Sequence, residues 1–158
     1  MKKPLVFIVL LCVFNCKTTL ENTKTKNVEM KTIESIVIAK GNLYGSGAEG
    51  IDAQNRMITN QNDWQGLMNQ MNSVNNVSHG FEETTIDFSQ YTIIAIFDKV
   101  KGSGGHRLEL AITSNPENTI VNITRVAPKG NSTSVITQPY HILKIAKRTL
   151  PIKFINTL

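Results

Sequence analysis

Cysteine is almost missing from this chain: 158 residues hold two, Cys12 and Cys16, both near the N-terminus. The body that follows has no internal disulfide, no thiol nucleophile and no thiolate metal ligand. Its stability must come from a core, and at 41% hydrophobic residues it can build one. Charge of one sign is also scarce, with 17 basic against 12 acidic side chains. No basic stripe interleaved with aromatics is present, which argues against a nucleic-acid partner. Long hydrophobic runs are lacking as well. The apolar stretch Leu5 to Phe14 is too short for a membrane span, which needs about 20 residues. Internal repeats are absent.

What is present starts with that apolar stretch. Met1-Lys2-Lys3 followed by Leu5 to Phe14 suits a secretory signal peptide over residues 1–15. Val13-Phe14-Asn15-Cys16 resembles a bacterial lipobox, with cleavage before Cys16 and a lipid on its sulfur; Phe14 and Asn15 are bulkier than the usual residues. Ordinary secretion with an incidental cysteine is the other reading. Cleavage removes Lys2 and Lys3, so the basic excess falls from 17 − 12 = 5 to 15 − 12 = 3. Residues 16–31, rich in Thr, Asn, Lys and Glu, read as the lipidated cysteine and a flexible tether. Residues 32–158 are enough for one domain.

Within that domain the patterns are mostly β. Ile33 to Ala39 reads as a first strand with Ile36 and Ile38 on one face. The glycine-rich stretch Asn42 to Asp52 reads as a loop, and Arg56 to Thr59 as a short strand. Trp64, Leu67, Met68 and Met71 follow the i, i+3, i+4, i+7 stripe of an amphipathic helix. Asn62 is the expected cap, with Gln65 three residues on. The run Tyr91 to Phe97, the turn Gly102-Ser103-Gly104-Gly105 and the alternating Arg107 to Ile112 read as a central hairpin. Thr119 to Val126, Ser134 to Thr137, His141 to Ala146 and Pro151 to Ile155 complete the set. The expected fold class is α+β, mostly antiparallel β: one domain of seven or eight short strands with one amphipathic helix packed on the sheet.

Reactive constellations are thin. A phosphate loop needs a helix after its glycines, and the segment after Gly105 is β-patterned. Ser103 lies near His106 but lacks the strand-to-helix elbow of a hydrolase nucleophile. His79, His106 and His141 are the only histidines, and no pair has metal-ligand spacing. Glu82 and Glu83 read as solvated, and Asp87 as a turn or cap residue. The expectation is no enzyme activity, no metal and no cofactor.

Two segments resemble a known family. Asp87 to Ala95 followed by Gly104-Gly105-His106-Arg107-Leu108-Glu109-Leu110, and then Thr137-Gln138-Pro139-Tyr140-His141-Ile142-Leu143-Lys144-Ile145, are similar to the C-terminal domain of the protease complex subunit PrcB family. The Asp63-Trp64 helix start also fits, and the resemblance spans roughly Ile33 to Phe154. This chain departs by placing His106 where the family favours an aromatic after Gly-Gly. The resemblance implies a noncatalytic, lipid-anchored accessory protein that binds or stabilises an exported partner, such as a subtilisin-like protease. The lipobox-like Cys16 gives a bacterial envelope location, and Lys17 at the second mature position, no obvious retention signal, leaves the outer membrane as the expected anchor. The alternative is a carbohydrate or small-ligand binding module using the loop Asn42 to Asp52. The candidate partner-binding residues are Gly104, Gly105, His106, Pro139, Tyr140 and His141. Pro139 cannot donate to a β-ladder, so Pro-Tyr-His reads as the start of an edge strand open to strand addition. Tyr140 has two readings, core packing or interface.

Overall fold

A computed structural model describes residues 29–157. The signal peptide, Cys16 and nearly all of the tether lie outside the described residues. Eight strands form two four-stranded sheets: β1 (Lys31–Thr32), β2 (Ser35–Leu43), β3 (Gln54–Ile58), β4 (Tyr91–Phe97), β5 (Arg107–Ser114), β6 (Thr119–Val126), β7 (Gln138–Ala146) and β8 (Ile152–Thr157). One sheet has the order β2-β7-β4-β3 and the other β1-β5-β6-β8. All pairings are antiparallel except β6 with β8, which is parallel. A single α-helix, α1 (Gln61–Met71), and a short 3-10 turn, η1 (Val77–Gly80), complete the body. This is the α+β, mostly antiparallel domain expected, with the helix packed on a sheet.

The layers explain the sequence pattern. The β2-β7-β4-β3 sheet lies between the helix and the second sheet, so both of its faces are covered. On the helix side Ile93, Ala95, Phe97, Tyr140 and Ile142 pack with Trp64, Leu67, Met68 and Met71. On the other side Ile94, Ile96, Leu143 and Ile145 meet Leu108, Ile112, Val121 and Ile123 of the second sheet. A strand buried on both faces reads as a continuous apolar run, which is why Tyr91 to Phe97 shows no alternation. Thr119 to Val126 alternates because only its inward face is in the core.

Several sequence expectations change. The run at Tyr91 and the strand at Arg107 are not a hairpin: β4 pairs with β3 and β7, while β5 pairs with β1 and β6. The glycine segment carries the chain from one sheet to the other, so local sequence adjacency does not become pairing. The helix begins one residue earlier than Asn62, and its cap is Asn60, whose Oδ1 accepts the Asp63 N–H at 2.9 Å. The amide of Asn60 returns a bond to the Asp63 carboxylate at 2.8 Å, a reciprocal cap in which Asp63 takes the place assigned to Gln65. Asn42 and Leu43 belong to β2, not to the following loop. A bulge between Val37 and Ala39 lets both Ile38 and Ala39 enter the helix-side core, while Ile36 stays about half exposed, at 47%. Ser134 to Thr137 forms no strand, contributing a single bridge from Thr137 to Lys101.

Candidate functional site

The two sheets part along one side, between β2 and the first half of β5. The cause is a change of sheet by the chain itself. β1 pairs with Ser114 and Thr113 of β5, and the Ile33 N–H then bonds the Ile112 carbonyl at 2.9 Å. From Ser35 the chain runs as β2 beside β7. Beyond Ile112, toward Arg107, that flank of β5 has no strand beside it among the described residues. A groove of about 510 Å³ fills the seam, bordered by Val37, Lys40 and Gly41 on one bank and Arg107 to Leu110 on the other, with Tyr140 and His141 at its base.

Side chains of the first sheet bridge this seam to the backbone of β5. His141 Nδ1 lies 3.1 Å from the Leu108 carbonyl. A carbonyl only accepts, so Nδ1 carries the proton and Nε2 is left as an acceptor. Asn42 Nδ2 donates to the His106 carbonyl at 3.4 Å. Among the described residues, each side chain keeps one buried atom without a partner, His141 Nε2 and Asn42 Oδ1. His141 is only 5% exposed, and burial lowers its pKa below the usual 6.5. The bond to Leu108 and the nearby Glu109 charge oppose that shift, and Lys40 adds to it. Burial raises the Tyr140 hydroxyl above the usual 10.0, with a further push from Tyr44.

Of the six candidate residues only Tyr140 and His141 border the groove, and the His106 carbonyl is tied to its bank by Asn42. Tyr140 faces the helix side, stacked with Phe97 at 6.2 Å between ring centres, and belongs to the core. Pro139 and its neighbours do not start an edge strand: β7 lies between β2 and β4. Proline is tolerated there because β4 stops at Phe97, and the Pro139 carbonyl accepts the Asp98 N–H just beyond it at 2.9 Å. Gly104 and Gly105 hold the crossing segment. A Cβ on Gly104 would come within 2.4 Å of Thr133 Oγ1. Gly105 has φ +80°, and a Cβ there would meet Pro128 at 2.9 Å. His106 presents Nε2 to Ser103 Oγ at 3.1 Å; among the described residues no side chain orients the other ring nitrogen, as a catalytic triad requires. The three histidines do not converge: His79 lies in η1.

No family model, curated protein or solved structure matches this chain. Its site is therefore described by its own chemistry. Lys40, Val37 and Leu110 were missed in the sequence, and Asn42 was read only as the start of a possible binding loop. Asn42 sits where glycines suggested a loop, and Leu110 reads as an ordinary core position. The only available signal was the polar Lys40-Gly41-Asn42 interruption of an apolar run.

The crossing segment is fixed by a second polar cluster. Asp98 is 5% exposed and pairs with Lys101 Nζ at 2.9 Å and Arg125 Nε at 3.0 Å. Gln138 Nε2 ties together the Ile51 and Asp98 carbonyls at 2.7 and 3.0 Å. Glu83, expected to be solvated, instead pairs with Lys144, whose ammonium also sits 4.5 Å from the Tyr91 ring centre. Asp87 is the expected turn residue: it accepts the Ser89 N–H at 2.9 Å and the Gln90 amide at 2.8 Å.

Proposed function

We propose that this chain is a noncatalytic accessory protein, anchored by lipid on Cys16, that binds an exported partner through the seam between β2 and β5. The observation that supports it is the groove of about 510 Å³ along the flank of β5 that no strand covers among the described residues. The resemblance to the PrcB family supports an exported protease as the partner, and the lipobox-like Cys16 with Lys17 after it supports a bacterial envelope location, at the outer membrane.

A second reading, a carbohydrate or small-ligand module, draws on one observation. Glu49 closes the loop after β2 by accepting the Gly45 N–H at 2.8 Å, and its buried Oε2 has no partner among the described residues. Affinity isolation of the tagged chain from native membranes, after mild cross-linking, separates the two. Co-isolation of one exported protein in near-equal amount is the expected result. A chain that isolates alone, yet melts higher with cell-wall sugars, would replace the first reading with the second.

A further inference from the structure

We propose that the bare flank of β5 is a strand position, filled by an extended segment of the partner that lies end to end with β1 and directs an acidic side chain at Lys40. This rests on the partner-binding reading above and names the chemistry of the bound segment.

The main-chain groups on that flank are identified by those already bonded. The carbonyls of Ile112, Leu108 and His106 accept from Ile33, His141 and Asn42, none of which belongs to β6. Strand alternation places the N–H and C=O of Leu110 on the same flank, between two occupied neighbours. β1 covers the far end of β5 and then departs for the other sheet, so a strand position begins and is abandoned partway along. An extended peptide supplies alternating donors and acceptors along one edge. It would pair with both the N–H and the C=O of Leu110.

The lining selects the side chains. Val37, Leu108 and Leu110 give the groove its apolar lining. Arg107 and Glu109 neutralise each other at 2.9 Å, whereas Lys40 forms no ion pair among the described residues. The net field is positive, which favours an acidic segment. The neighbouring edge of β2 does not compete for the strand. Its bulge lies at Ile38, and the Ile38 carbonyl already accepts the Glu82 N–H at 3.0 Å; both features blunt an edge.

The test uses the full chain in detergent and three acetylated, amidated hexapeptides. One alternates valine with glutamate, one alternates valine with lysine, and the third is the valine–glutamate peptide N-methylated at alternate residues. The valine–glutamate peptide should bind and slow amide exchange at Leu110, leaving Glu109, which faces β6, unchanged. The other two should bind at least about tenfold more weakly, as loss of one charge-assisted or main-chain hydrogen bond implies. Leu110→Pro removes an N–H that takes no part in the β5–β6 ladder and should abolish binding. Should that variant melt early, Lys40→Glu carries the test by reversing the preference toward the lysine peptide.

Equal binding of the N-methylated peptide would overturn the proposal. So would a Leu110 amide already protected in the free chain: at all concentrations, this would assign the position to the chain's own N-terminal residues. Protection that grows with concentration would assign it to a second copy. If the peptides fail while an exported protein still co-isolates, the strand position is wrong and the accessory role stands.

Discussion

His141 on β7 and Leu108 on β5 join the two sheets through one hydrogen bond, imidazole Nδ1 to carbonyl oxygen at 3.1 Å. The bond fixes the tautomer, and burial holds the ring neutral. The unfolded chain therefore takes up a proton at His141 more readily than the folded one. Stability is complete above the usual histidine pKa of 6.5 and declines as pH falls below it. Lys40, which disfavours the charged ring, and Glu109, which favours it, set the extent. Melting curves from pH 7.5 to 5 should show this decline in the native chain, and a shallower one in His141→Gln. Equal slopes would show that the imidazole does not titrate differently on folding.

Asp98 has the opposite sign. Burial raises its pKa, but the bonds to Lys101, the Lys99 N–H and Arg125 outweigh that and hold the carboxyl below the usual 3.8. Its contribution is present above that value and fades as pH drops through the folded pKa. Asp98→Asn should cost about 1–3 kcal/mol at neutral pH and flatten the acid limb of the stability profile. Urea melts at pH 7 and pH 3 measure both.

Trp64 anchors the helix to the sheet. It is fully buried, donates from Nε1 to the Thr84 carbonyl at 2.9 Å and stacks on Phe81 at 5.9 Å. Trp64→Ala should cost about 3–5 kcal/mol. Trp64→Phe, which keeps most of the volume but loses the donor, should cost clearly less. Chemical denaturation of the two variants checks the order.

Gly105 tests whether the glycine turn serves structure or contact. A side chain there faces both a left-handed backbone and Pro128. Gly105→Ala should lower stability by more than about 1 kcal/mol. Unchanged melting with lost partner binding would instead make the glycine a contact residue.

Lipidation at Cys16 is checked by metabolic labelling with an alkyne fatty acid. The native chain should carry label and sediment with membranes, whereas Cys16→Ser should lose both. Label persisting in that variant would remove the anchor from the proposed function.

The amphipathic stripe from Trp64 to Met71 and the alternation of Thr119 to Val126 were legible because each depends on spacing along the chain. The apolar run at Tyr91 was equally clear as a strand, since a doubly covered strand has no polar face to show. Its partner was not legible. Glycines after Phe97 suit a hairpin turn and a crossing between sheets equally well, and long-range packing decides between them.

By itself, then, the sequence determined a disulfide-free body, most of its strands and the helix, because hydrophobic spacing is a local property of the chain. The placing of Pro139 to His141 in a central strand, the bare flank of β5 and the unpaired atoms of Asn42 and His141 were decided only in three dimensions. They depend on which edges meet, and residues about a hundred positions apart set that through packing.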